Sequence, residues 1–234
     1  MSGFSDVAIT ALQADQARLA VVSRNLANSQ TPGYRAELAS PSLAPSFESL
    51  LGAGDTLDPA AQGLQVPRSQ RLGALQQTNH KLDLAIEGAG FFQLMDGARM
   101  VYSRRGDFHL DELGVLRGAN EMPVAGSGGE IRLSDAEVTV RPDGTIDKDG
   151  AAVGRIAVAQ FPNQSRMEYL GDGLYLSELS PVTDAEMEPR IRQGFVEASN
   201  VRPMDEMTQM LEITRRFGAS TQALKAYDEM LGLA

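Results

Sequence analysis

Both ends of this chain carry a helical period, and the long stretch between them does not. Stepping alternately by four and three residues from Ser5 reaches Ile9, Leu12, Gln16, Leu19, Ser23 and Leu26, positions that share one helix face. Ala8, Ala11, Ala14, Ala17 and Ala20 fill the flanks with the strongest helix former. Pro32 and Gly33 then stop the run, since proline disfavours the helical region at Thr31 and glycine admits positive φ. Past Met204, the same alternation counted from Met207 gives Met210, Thr214, Phe217, Thr221, Leu224, Asp228 and Leu231. Pro203 suits the first turn of that helix, with Ser199 or Asn200 the expected cap. The spacing thus predicts helices of roughly 36 and 42 Å at the two ends. Each must bury its stripe on something. Neighbouring copies are the expected partner, and pairing of the two within one chain is the alternative. Serine, glutamine and threonine on both stripes favour several neighbours over one tight seam.

The interior has a different texture. Residues 35–80 are rich in Pro, Ser, Gly and Ala and read as an extended linker. From Leu82 to Gly194 short alternating runs are punctuated by turn pairs, notably Asp143-Gly144 and Asp149-Gly150, with Gly154–Phe161 a strong strand candidate. The expected organisation is residues 1–34 as an N-terminal helix, 35–80 as linker, 81–198 as an antiparallel β domain and 199–234 as a C-terminal helix. The fold class is α+β.

Composition removes most chemistry. The 234 residues contain no cysteine and only two histidines, His80 and His109, which excludes thiol catalysis, zinc–thiolate and iron–sulfur sites and multi-histidine metal centres. With 21 basic against 31 acidic residues the net charge is −10, unsuited to phosphate backbones, so no nucleic-acid partner is expected. No apolar run approaches the ~18 residues of a membrane span, so no membrane insertion is expected. The N-terminus lacks the basic and apolar regions of a cleavable signal. Asp143–Gly150 looks like a calcium loop, but Thr145 at the third position and Gly154 at the twelfth break the pattern, leaving paired β-turns. Gly126–Gly129 reads as a flexible loop rather than a dinucleotide fingerprint. Neither histidine has a nucleophile motif beside it. No catalytic, cofactor or metal residue is therefore assigned.

One segment is specific. Asn25-Leu26-Ala27-Asn28-Ser29-Gln30-Thr31-Pro32-Gly33-Tyr34-Arg35 closely resembles the N-terminal signature of bacterial flagellar axial proteins, the rod and hook family. Its key positions are Asn25, Ala27, Asn28, Thr31, Gly33 and Tyr34. Three further blocks agree with that family in order: Ala85–Phe92, Tyr102–Phe108 with Asp111 and Gly114, and Gly194–Val201 followed by Glu206 and Met207. Length and the single β region are similar to the rod proteins of both proximal (FlgF) and distal (FlgG) type, and the compact stretch from Tyr34 to Gly63 favours the proximal type, with the distal type the alternative. At Arg216–Ser220 the sequence departs from the usual pattern, in which a glutamate follows the phenylalanine.

The resemblance implies a structural protein of the flagellar basal body, not an enzyme. It implies export without cleavage through the flagellum's type III apparatus. The implied partners are further copies and other axial proteins, and the terminal helices form a coiled-coil-like inner layer of the tube. The assembly interface is then expected at Ile9, Leu12, Leu19 and Leu26, and at Asn200, Val201, Met207, Met210, Phe217, Leu224 and Leu231, while Asn28, Thr31, Gly33 and Tyr34 fix the chain reversal. A cell-wall hydrolase using paired carboxylates and a monomeric export chaperone are the competing functions, and no motif selects either.

Overall fold

The computed structural model describes residues 3–38, 67–161, 167–177, 179–181 and 190–232. The chain divides into two compact units. A helical unit comprises Met1–Ser29, Ala36–Ser69 and Val201–Ala234, and a β unit comprises Gln30–Arg35 and Gln70–Asn200.

In the helical unit, α1 spans Gly3–Ala27 and α2 spans Pro203–Gly232. The two helices pack against each other. The end of α1 is built by its own sequence. Asn28 donates its amide to the Arg24 carbonyl at 2.9 Å, and the Ser29 hydroxyl donates to the Leu26 carbonyl at 2.8 Å, satisfying groups a helix end leaves open. At the start of α2 the Arg202 carbonyl accepts from the Asp205 and Glu206 amides at 3.0 and 3.1 Å. The capping position therefore falls on Arg202, next to Pro203, and the expected caps Ser199 and Asn200 lie two or more residues too early. Asp205 and Glu206 place negative charge at the positive end of the helix dipole.

The face that α1 buries is Asp15, Ala17, Val21, Val22 and Asn25, with Leu12, Leu19 and Leu26 half-buried along its flank. Small and β-branched side chains, rather than the leucines, thus lie deepest. Along α2 the only buried side chain among the described residues is Ile213. Beyond α1 the chain leaves at Leu38 and returns at Pro67, where the Leu38 amide donates to the Pro67 carbonyl at 2.7 Å and Glu37 pairs with Arg68. Most of the expected linker, residues 39–66, lies outside the described residues.

The β unit contains β1 (Leu75–Gln77), β2 (Leu84–Glu87), β3 (Phe91–Asp96), β4 (Arg99–Ser103), β5 (His109–Leu110), β6 (Leu116–Arg117), β7 (Ala125–Gly126) and β8 (Gly129–Glu130). It continues with β9 (Thr139–Val140), β10 (Thr145–Lys148), β11 (Ala151–Arg155), β12 (Val158–Ala159), β13 (Glu168–Gly171), β14 (Leu174–Leu176), β15 (Arg190–Gln193) and β16 (Phe195–Glu197). Every ladder is antiparallel. The largest sheet has the order β12-β3-β4-β14-β13, and β11-β10-β9 form a second.

The period of two explains the core. Phe92 and Leu94 point from β3 into a large apolar cluster with Val101, Leu116, Val124, Ile146 and Ile156. Phe91, their neighbour in sequence, faces the other way into an aromatic cluster with Tyr102, Phe161 and Tyr175. Each fully buried phenylalanine contributes about 1.5–3 kcal/mol, so the central sheet is fastened on both faces. The turns behave as their residues dictate. Asp149 and Gly150, at φ +49° and +82°, form the two-residue link between β10 and β11. Gly126–Gly129, expected to be a flexible loop, is instead a tight hairpin in which Gly126 pairs with Gly129 across Ser127-Gly128.

Candidate functional site

The four sequence blocks that resemble the axial family meet at one buried ion pair in the β unit. Arg104 follows β4 and Glu197 ends β16; their side chains are 1% and 3% exposed, so the pair is sealed from water. Arg104 Nε donates to Glu197 Oε2 at 2.6 Å, Nη1 donates to the Gly90 carbonyl at 2.6 Å, and Nη2 donates to the Gly88 carbonyl at 2.9 Å. The guanidinium fork spans the glycine turn before β3 and the carboxylate on the C-terminal block, a task its planar geometry permits. Burial pushes Arg104 below the ordinary arginine value, and Glu197 pulls it back up. Desolvating two charges is costly, and the cost is met here by mutual attraction and by filled hydrogen-bond positions.

The N-terminal motif closes the arrangement. Gly33 donates its amide to the Glu197 carbonyl at 2.7 Å. Its φ is +67°, and a Cβ there would lie 2.6 Å from the Arg104 carbonyl carbon, so both conformation and space call for glycine. Tyr34 is buried, meets the Tyr169 ring edge-on at 6.5 Å, and accepts from the Asn200 amide at 3.3 Å. The guanidinium carbons of Arg35 and Arg104 lie 5.2 and 5.9 Å from the Phe91 ring centroid.

The other half of the motif works in the helical unit. Asn25 donates Nδ2 to the Glu37 carbonyl at 3.0 Å and accepts from the Glu37 amide at 2.8 Å, while Nδ2 also reaches Glu206 Oε1 at 3.2 Å. The Glu37 carboxylate is held by Arg24 at 2.8 Å and by Arg68. Across the helix pair, Arg216 donates to buried Asp15, with Nε to Oδ2 at 3.0 Å and Nη2 to Oδ1 at 2.8 Å. Burial lifts the Glu206 carboxyl above the usual carboxylate value, against the pull of the Asn25 amide, and Asp205 adds to the rise.

The motif is thus divided: Asn25, Ala27 and Asn28 belong to the helical unit, and Thr31, Gly33 and Tyr34 to the β unit. Ala27 is exposed, and the Thr31 carbonyl accepts from the Tyr34 amide at 3.3 Å. Among the residues expected at an assembly interface, Leu12, Leu19, Leu26, Asn200, Met210, Phe217 and Leu224 are half-buried, Val201 is buried and Met207 is exposed. Ile9 and Leu231 lie outside the described side chains. In the sequence Arg104 and Glu197 lie inside motifs that give neither a role, Arg216 lies in the stretch that departs from the family pattern, and Asp15, Glu37 and Arg68 fall outside every motif. Asp15 carried a readable sign, a lone acid within an alanine-rich apolar stretch. His109 is exposed, with Nε2 3.0 Å from Glu121 Oε2. Among the described residues no group of three acidic or histidine side chains could hold a metal ion, and no helix is long and apolar enough to cross a membrane.

Known proteins are similar to this chain in sequence. Residues 6–35 match the family model of flagella basal body rod proteins, residues 85–150 that of the flagellar hook protein FlgE/F/G D1 domain, and residues 192–234 that of the C-terminal region of flagellar basal body rod FlgEFG proteins. The flagellar basal-body rod protein FlgF of Caulobacter vibrioides is 33% identical over 85% of this chain and 82% of its own. FlgF of Salmonella typhimurium is 31% identical over 92% and 90%. The rod protein FlgG of Buchnera aphidicola from Acyrthosiphon pisum is 28% identical over 95% and 94%. Gly33, Arg104 and Glu197 fall one in each of the three matched segments, so the buried junction is assembled from the parts of the chain that carry the likeness, and the chain belongs to the flagellar basal-body rod protein family of FlgF/FlgG type.

Proposed function

We propose that this chain is a structural subunit of the flagellar basal-body rod that assembles with further copies and other axial proteins through α1 and α2. The observation that carries the reading is the surface of α2. Among the described side chains of this 30-residue helix only Ile213 is buried, while Met204, Met207, Leu211 and Met230 are 75, 47, 61 and 68% exposed. A helix that leaves this much apolar surface in water gains by covering it with a neighbour. Contacts of one subunit's helices with different faces of the next are head-to-tail, and head-to-tail contacts whose rotation does not close a ring propagate as a helical tube. The tube's inner layer is a coiled-coil-like packing of these helices, and subunits reach it through the type III export apparatus. Its work is mechanical, the transmission of torque and passage of exported subunits, and involves no catalysis.

Within the family the proximal, FlgF, type is favoured: the FlgF relatives are 31–33% identical and the FlgG relatives 26–30%. The distal type draws support from coverage, since the FlgG alignments take in 95–97% of the chain. The reading is tested by Met207→Glu with Leu211→Glu in the full chain. Both positions are exposed, so the folded monomer should keep its circular dichroism while cells carrying the variant lose swimming. Normal swimming would overturn the role of α2. Which relative's deletion the chain rescues separates proximal from distal.

A further inference from the structure

We propose that Glu197 is a positioning residue for the chain's two arms: paired with Arg104, it fixes where the N-terminal and C-terminal segments leave the β unit. The inference rests on the rod reading, because assembly through the arms gives such a fix its use. Glu197 offers three acceptors, and each takes a different partner. Oε2 receives Arg104 at 2.6 Å, Oε1 receives the Gly73 amide at 3.0 Å, and the backbone carbonyl receives the Gly33 amide at 2.7 Å. Around it the strands are laced together. Ala198 donates to the Ala74 carbonyl at 2.8 Å, the Asn200 side chain donates to the Arg71 carbonyl at 2.6 Å, and Glu197 stands opposite Leu75 in the β1–β16 ladder.

These three segments are the places where the chain passes out of the β unit, after Arg35, before Gln70 and after Asn200. Arg104 spends its remaining donors on the Gly88 and Gly90 carbonyls, which anchors the carboxylate to the sheet rather than to the arms. The large apolar cluster includes none of these residues. A buried ion pair adds little net stability over an apolar substitute, and what it supplies is a single geometry. The join is also intolerant of bulk: a Cβ on Gly73 would stand 1.7 Å from the Ala198 carbonyl oxygen.

The test uses the full-length protein and cells in which each variant replaces the resident copy. In Glu197→Gln, amides of 71–75 and Gly33 should exchange with solvent at least about tenfold faster while those of β3 and β4 stay as they were, and swimming should fall. Arg104→Lys should behave alike, since an ammonium cannot span the three acceptors. Gly73→Ala disturbs the join without touching either charge and should reproduce the loss of swimming. Unchanged exchange at Gly73 in Glu197→Gln, or acceleration spread evenly over β3 and β4, would overturn the proposal. So would swimming preserved in Gly73→Ala despite freed 71–75 amides. Normal swimming of cells lacking the chain altogether would instead strike at the rod reading and leave the exchange result standing.

Discussion

The side-chain amide of Asn25 completes both backbone hydrogen bonds of Glu37, its Nδ2 on the carbonyl and its Oδ1 on the amide. It stands in for a neighbouring strand and ties the end of α1 to the chain twelve residues on. Asn25→Ala strands a buried donor and a buried acceptor, each worth about 1–3 kcal/mol. Urea unfolding followed by helix circular dichroism should show the loss. Asn25→Asp should be no milder, because it keeps the acceptor, removes the donor and sets a second carboxylate beside Glu206.

Glu206 gives the helical unit a pH dependence of known sign. Its folded-state carboxyl is raised by burial, so the folded form takes up a proton at higher pH than the unfolded form. Stability of the helix pair should therefore rise as pH falls from the raised value toward the ordinary glutamate value near ~4.3. Glu206→Gln should abolish that rise in thermal melts at a series of pH values. The β unit has the opposite sign: Asp111, Asp135 and Asp143 are held low by backbone and side-chain hydrogen bonds, so their contribution to that unit is lost as they are protonated in acid.

Two glycines with positive φ should respond differently to alanine. Gly97, at φ +60°, has nothing within 4 Å of a built Cβ, so Gly97→Ala carries only the left-handed penalty of about 1 kcal/mol. Gly33 adds a 2.6 Å collision with the Arg104 backbone, so Gly33→Ala should cost well over that and free the Gly33 amide. Equal shifts in denaturation midpoint for the two variants would contradict this account.

Arg216 and Asp15 form a pair of unequal burial, with side chains 53% and 4% exposed. Arg216→Ala leaves the Asp15 carboxylate buried with Arg18, at 3.6 Å, its one remaining ion-pair partner among the described residues, and should destabilise the helix pair by roughly 1–3 kcal/mol. Removing both charges in Asp15→Ala with Arg216→Ala should restore most of that loss. A double-mutant cycle on unfolding free energy measures it.

The terminal helices and turn pairs were legible because they depend on neighbours in sequence: Pro203 opens α2, Gly33 takes its positive φ, and Asp149-Gly150 closes a hairpin. The depth order within α1 was not. Leu12, Leu19 and Leu26 are the bulkiest apolar choices, but close approach of two helices rewards small and β-branched side chains such as Ala17, Val21 and Val22. The junction was hidden for a different reason. Arg104 and Glu197 are 93 residues apart, and a charge in a strand pattern reads as solvent-facing until its partner is known. Nothing local marks Glu37 or Arg68 either, since Glu37 meets Asn25, Arg24 and Arg68 only in the folded chain.

The pairing of Glu37 with Arg68 brings the polypeptide back to where it departed. A rung of this kind sets the separation of the two points at which the chain departs and returns, so that spacing is a property of Glu37, Leu38, Pro67 and Arg68 themselves and is independent of how many residues join them.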